Sequence, residues 1–221
     1  MTTIPLRHPF RIALCALGVS LCAQADWQGK LHTTMEPSRP GMPPENDGEI
    51  HAKKGKVRID QAMGGMGNGY MIYDFKTRKL DMVVPDKKAY VEIDAPQPGS
   101  QHEMPVGCVT GSVQQCLESQ DFKKTGTETV EGRACNVWER DRTAGSGELR
   151  QKIWVPTDAK ELVFVKQIVQ GPQFTRTTVV KDLKSAPQDD ALFEVPKGYA
   201  KHDMGEWVRQ MGGAGRPPRG Q

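Results

Sequence analysis

No apolar run in this chain is long enough to cross a membrane as a helix, which takes about 20 residues. The longest, Ile12 to Ala23, spans 12 residues. An excess of one charge is missing too. Lys and Arg number 30 against 27 Asp and Glu, and the two signs are interspersed, so no nucleic-acid footprint is present and electrostatics name no partner. The sequence has no Gly-x-Ser-x-Gly elbow and no His-Glu-x-x-His, which leaves hydrolysis without visible residues to run on. It also lacks the Cys-x-x-Cys spacing of a redox-active pair. The histidines His32, His51, His102 and His202 stand singly, without the short spacing of a zinc site. These absences lead us to expect no enzyme activity, no cofactor and no metal.

What is present begins with a leader. Arg7 and Arg11 precede the apolar run, and Ala23-Gln24-Ala25 has the small-x-small form that signal peptidase requires. Cleavage before Asp26 is expected, with residues 1–25 removed. Export delivers the chain to the periplasm, with secretion as the other outcome. Leu21 before Cys22 and Leu14 before Cys15 are too bulky for lipid anchoring. Loss of Arg7 and Arg11 leaves 28 basic against 27 acidic residues in a chain of 196, a length suited to one domain with a sizeable core.

Short alternating or β-branched segments recur with turn chemistry between them, the pattern of an antiparallel sheet. Residues 69–75, 78–84 and 89–93 read as a three-stranded meander, preceded by strands at 27–35 and 55–60. A second meander is expected at 122–129, 134–140, 149–155, 161–169 and 174–183, broken at Glu131-Gly132, at 144–147, at 156–158 and at Gly171-Pro172. Residues 36–48 and 95–120 read as loop insertions, with a short helix expected at 113–119. Residues 202–211 read as a short amphipathic helix and 212–221 as a disordered tail. The whole of 26–201 is expected to form one mostly β domain.

Three cysteines remain after the leader: Cys108, Cys116 and Cys135. In an oxidising compartment at least one pair should be bridged. The chain-entropy model gives about 2.6 kcal/mol for closing 108–116 and about 3.6 for 108–135, a gap too small to decide. Position favours 108–116, because both flank a loop-like stretch while Cys135 lies mid-strand, where a free thiol behaves as a small hydrophobe. Met63, Met66 and Met71, with Met35, Met42 and Met82 elsewhere, suggest either soft thioether ligands for Cu(I) or gap-filling beneath irregular structure. The Gly-rich stretch 64–69 has no following Lys-Ser/Thr, so a phosphate cradle is not expected; a mobile loop at a sheet edge is.

Several segments resemble a bacterial family known as domain of unknown function 4412, grouped with the outer-membrane lipoprotein carriers LolA and LolB. They are Lys54-Gly-Lys-Val-Arg-Ile-Asp60, Tyr73-Asp-Phe-Lys-Thr-Arg-Lys79 leading to Val84-Pro-Asp-Lys-Lys-Ala-Tyr90, Gly132-Arg-Ala-Cys-Asn-Val-Trp138, Ile153-Trp-Val-Pro156, and Ala191-Leu-Phe-Glu-Val-Pro-Lys-Gly-Tyr199. The resemblance implies a single antiparallel sheet curved as an open LolA-like half-barrel, with one or two short helices over its concave face. It implies that a subset of the aromatic and aliphatic residues lines a groove, for which Tyr70, Ile72, Met82, Val84, Tyr90, Trp138 and Trp154 are the candidates. The partners so implied are a lipid or lipoprotein acyl chain. An envelope protein-interaction or stress-sensing module is the alternative, and Met-based copper handling a weaker one.

Overall fold

The computed structural model describes residues 26–38, 44–53, 55–63, 67–94, 112–144, 147–159 and 164–207. The expected leader, the tail at 212–221, Cys108 and Met66 lie outside the described residues. Strands β1 (Trp27–Glu36), β2 (Glu45–Lys53), β3 (Lys56–Ala62), β4 (Asn68–Asp74), β5 (Lys79–Val84) and β6 (Ala89–Asp94) come first. Helix α1 (Val113–Ser119) follows, then β7 (Lys123–Val130), β8 (Arg133–Ala144), β9 (Gly147–Pro156), β10 (Lys166–Gly171), β11 (Phe174–Ser185) and the short β12 (Ala200–His202).

All twelve strands form one open, curved sheet in the order β12-β6-β5-β4-β3-β2-β1-β11-β10-β9-β8-β7. Each neighbouring pair is antiparallel except β12 with β6. Two meanders are therefore joined where the first strand pairs with the eleventh, Leu31 opposite Val180.

Local chemistry sets the hairpins. Glu131 and Gly132 both adopt positive φ, 48° and 72°, which is the two-residue turn whose twist suits flanking strands, and Gly takes it without a Cβ clash. Asp74 Oδ1 accepts from the backbone N–H groups of Lys76 (2.9 Å) and Thr77 (3.0 Å), tying the β4–β5 turn. Pro85 to Lys87 make a 3-10 turn that Lys88 closes at φ 47°. Helix α1 starts with a capping box: Ser112 Oγ accepts from Gln115 N at 3.2 Å, and Gln115 Oε1 accepts from Ser112 N at 3.1 Å.

The expected strands and the helix at 113–119 are present, with one further strand and two differences at the ends. Strand β2 is not among the expected elements, which have loop at 45–48 and no strand at 49–53; it forms because pairing with β1 and β3 supplies acceptors and donors that an isolated Glu-Asn-Asp-Gly stretch lacks. The strand expected from 161 starts at Lys166. At the C-terminal end, 200–202 is strand and a helical turn starts at 204.

Alternation divides the side chains between two faces. Trp27, Leu31, Ile50, Val57, Ile59, Tyr73, Leu80 and Val180 share one face and form the largest core cluster. The same face carries Trp138 and Ile153 under α1 at one end, and Val84, Ala89 and Val91 under Trp207 at the other. We call it the inner face. Tyr73 on β4 and Arg176 on β11 both lie on this face, with β3, β2 and β1 between them in the sheet.

Candidate functional site

The inner face changes character along the sheet. On β4 to β6 it is apolar, and Met71, Phe75, Met82 and Ile93 lie partly exposed against the core. Met71 and Met82 are cross-strand partners, and Phe75 stacks on Tyr73 with ring centroids 6.0 Å apart. Burial pushes the Tyr73 phenol up to about 12, against a smaller opposing pull from Arg176.

On β8 to β11 the same face turns polar. Arg140 on β8 is buried. Its Nε donates to Gln151 Oε1 at 2.5 Å, its other arm to the Gln120 carbonyl at 2.9 Å, and its guanidinium lies 4.3 Å from the Phe122 ring centre. The neighbouring strand positions carry Gln151, 1% exposed, and Gln167, 3% exposed. The two amides differ. Gln151 accepts from Arg140, whereas Gln167 Nε2 is buried with no hydrogen-bond partner, as is Trp138 Nε1.

Arg176 completes the strip. Its register partners are Met35 on β1 and Val169 on β10, which places it on the inner face. Burial pushes its guanidinium pKa down, and Tyr73 pulls weakly the other way. Among the described residues it forms no hydrogen bond or ion pair. Three other cations among the described residues are matched: Arg58 forks onto Asp60 at 2.8 and 2.6 Å, Arg150 holds Asp141 at 2.9 Å, and Lys30 holds Asp182 at 2.9 Å.

The structure separates the seven residues expected to line a groove. Met82, Val84 and Trp138 point to the inner face, although Val84 is fully covered by the cluster around Trp207. Tyr70, Ile72 and Tyr90 point outward, where they pack with Val83 beneath Phe193. Trp154 is also on the outer face, with Nε1 donating to Glu128 Oε2 at 2.8 Å and the amines of Lys152 and Lys166 each 4.9 Å from its ring centre. Arg176, Gln167 and Arg140 were not among the candidates. The signal for Arg176 was available: it sits in step with Thr178 and Val180 along β11, an arginine at an inward position.

The methionines divide as well. Met63 packs beneath Trp207, while Met71 and Met82 belong to the central cluster, so gap-filling accounts for their positions. No group of His, Cys, Asp or Glu among the described residues is arranged to hold a metal ion. Among the described residues the free thiol is Cys135, fully buried on the outer face. A cleft of about 590 Å³ at the β6–β12 edge is lined by Lys79, Glu92, Ile93, Asp94, Lys201 and Met204. No described helix is long and apolar enough to cross a membrane.

No protein-family model matches the chain, and no curated protein matches it. Solved structures do. A chain of the Pseudomonas aeruginosa MucA/MucB complex is 14% identical, with 77% of this chain and 56% of that one covered, at a TM-score of 0.44. A LolA superfamily protein from Nitrosomonas europaea is 10% identical, covering 77% and 90%, at 0.40. PNGF-II is 12% identical, covering 85% and 32%, at 0.47. This chain thus spans about half of the first of these and about a third of the last. At these values the likeness carries no inference about activity, ligand or partner.

Proposed function

We propose that this chain is a non-enzymatic binding protein of the cell envelope, a member of the domain of unknown function 4412 family delivered by the leader at 1–25. It holds an apolar chain, a lipid or a lipoprotein acyl group, on the inner face of its sheet. The observation that carries this reading is the placement of Met71, Phe75, Met82 and Ile93. They remain partly exposed on the face that carries the largest core cluster, where a folded monomer would otherwise bury them. A flexible thioether pair suits tails of varied shape.

The test is native mass spectrometry of protein purified from its own periplasm, joined to uptake of a fluorescent fatty acid. Co-purified lipid and saturable uptake are expected, with Met71→Asp lowering affinity by at least about tenfold, since a charge facing an acyl chain forfeits more than the 1.4 kcal/mol that a factor of ten represents. The exposed outer-face substitution Glu92→Gln is the control. Absence of both lipid and uptake overturns the reading.

A second reading rests on a different feature. Among the described strands β7 pairs only with β8, and it is exposed from Lys123 to Thr129, an open edge of the kind a partner strand can extend. In-cell cross-linking from Thr127→Cys should capture an envelope protein if this edge is the working surface, and recovery of monomer alone counts against it.

A further inference from the structure

Building on the inner face as a ligand surface, we propose that Arg176 and Gln167 form an anion subsite at the head of that surface, and that the ligand they select is an amphiphile with a carboxylate head.

Three observations meet here. First, Arg176 is a half-buried arginine on the inner face with Met35 and Val169 as its strand partners and no carboxylate paired with it among the described residues. A guanidinium cannot shed its proton at working pH, so its partly desolvated charge gains from an anion placed against it. Second, Gln167 faces Thr178, the next inward residue along β11 from Arg176, which makes the two side chains diagonal neighbours on adjoining strands. Its Nε2 is a buried donor without an acceptor. Native interiors seldom leave such a donor unpaired, and an absent acceptor is a recurring reason. Third, Tyr73 is within electrostatic reach of Arg176. From Tyr73 the inner face continues through Phe75 to the Met71–Met82 pair.

A partner that serves both groups is an acceptor with more than one oxygen and a negative charge, continuous with an apolar tail. A carboxylate meets a planar guanidinium fork in two parallel hydrogen bonds. One guanidinium and one neutral amide supply a single positive charge, which matches a monoanion and leaves the second charge of a phosphate monoester unbalanced. A neutral tail gains nothing from these donors.

The test compares dodecanoate, dodecanol and dodecyl phosphate by isothermal titration on the mature protein and its variants. Wild type should bind dodecanoate at least about tenfold more tightly than dodecanol, the worth of one charge-assisted pairing. Arg176→Gln should erase that preference while leaving dodecanol affinity unchanged, and Arg176→Lys, which keeps the charge and loses the fork, should fall between. Urea midpoints confirm that each variant is folded, and should Arg176→Gln fail to fold, Gln167→Met, expected to lower dodecanoate affinity alone, replaces it. Equal binding of dodecanoate and dodecanol by wild type, or a preference that survives Arg176→Gln, overturns the subsite. Tighter binding of dodecyl phosphate than of dodecanoate overturns the choice of head group. A protein that takes none of the three overturns the inner-face reading as well.

Discussion

Two glutamines on adjoining strands should respond to the same substitution with opposite signs. Gln151 and Gln167 are both buried on the inner face, 1% and 3% exposed. Methionine has a similar length and volume, so replacing either should leave little cavity. In Gln167→Met the substitution removes a buried Nε2 that has no partner. Relieving such a group is worth about 1–3 kcal/mol, so the ligand-free protein should gain roughly that much stability. For a domain of this size this amounts to a rise of about 2–12 °C in melting temperature. In Gln151→Met the substitution removes the acceptor of the 2.5 Å hydrogen bond from Arg140 Nε. A hydrogen bond to a charged group contributes about 1.5–3 kcal/mol, and the buried guanidinium is left with one donor unpaired. That variant should lose at least this amount. Urea denaturation followed by tryptophan fluorescence measures both, the midpoints shifting in opposite directions at unchanged slope. A loss of more than about 1 kcal/mol in Gln167→Met would refute the reasoning, because it would mean that the amide has an acceptor in the free protein and is not waiting for one.

Leu117 of α1 is fully buried against the cluster of Phe122, Trp138 and Ile153, so Leu117→Ala should cost about 2–5 kcal/mol by urea denaturation; a cost under 1 would show that α1 is not docked. Tyr73, held up to about 12 against an ordinary value of 10.0, contributes stability that is complete below pH 10 and is lost as pH rises through 12, since the unfolded chain gives up that proton first. Burial raises the Tyr70 phenol as well, so absorbance titration at alkaline pH should show more than one of the four tyrosines ionising late, and Tyr73→Phe should remove one of those steps and flatten the loss of stability between pH 10 and 12. Cys135 is buried, and desolvation raises its thiol pKa, so a thiol reagent should find it only after unfolding. Non-reducing peptide mapping of the same material should return a linked 108–116 peptide, and a thiol that reacts within seconds in the native protein contradicts both expectations.

Strand identity was legible because it is a local property. The alternation of 69–75, 78–84 and 89–93 and the turn residues at 85–87 and 131–132 place β4 to β8 with little help from the rest of the chain. The helix at 113–119 was expected too, and the structure adds the local capping box of Ser112 and Gln115 that starts it. The candidate site was much less so. Alternation says that Tyr70 and Tyr73 point to opposite sides, but not which side is inner. Pairing decides that: Tyr73 lies opposite Val57 and Leu80, in line with Ala52 and Trp27, whereas Tyr70 lies opposite Asp60 and Val83 and is roofed by Phe193.

By itself, then, the amino-acid sequence determined the β-rich architecture, the turns and the short capped helix, because each depends on residues a few positions apart. The tertiary structure decided the strand order and the β1–β11 closure, which depend on contacts between residues about 150 positions apart, such as Leu31 with Val180. With that closure Arg176 ceased to be one arginine among many. It became an unmatched cation beside an unmatched amide on the face where the hydrophobic side chains remain partly open.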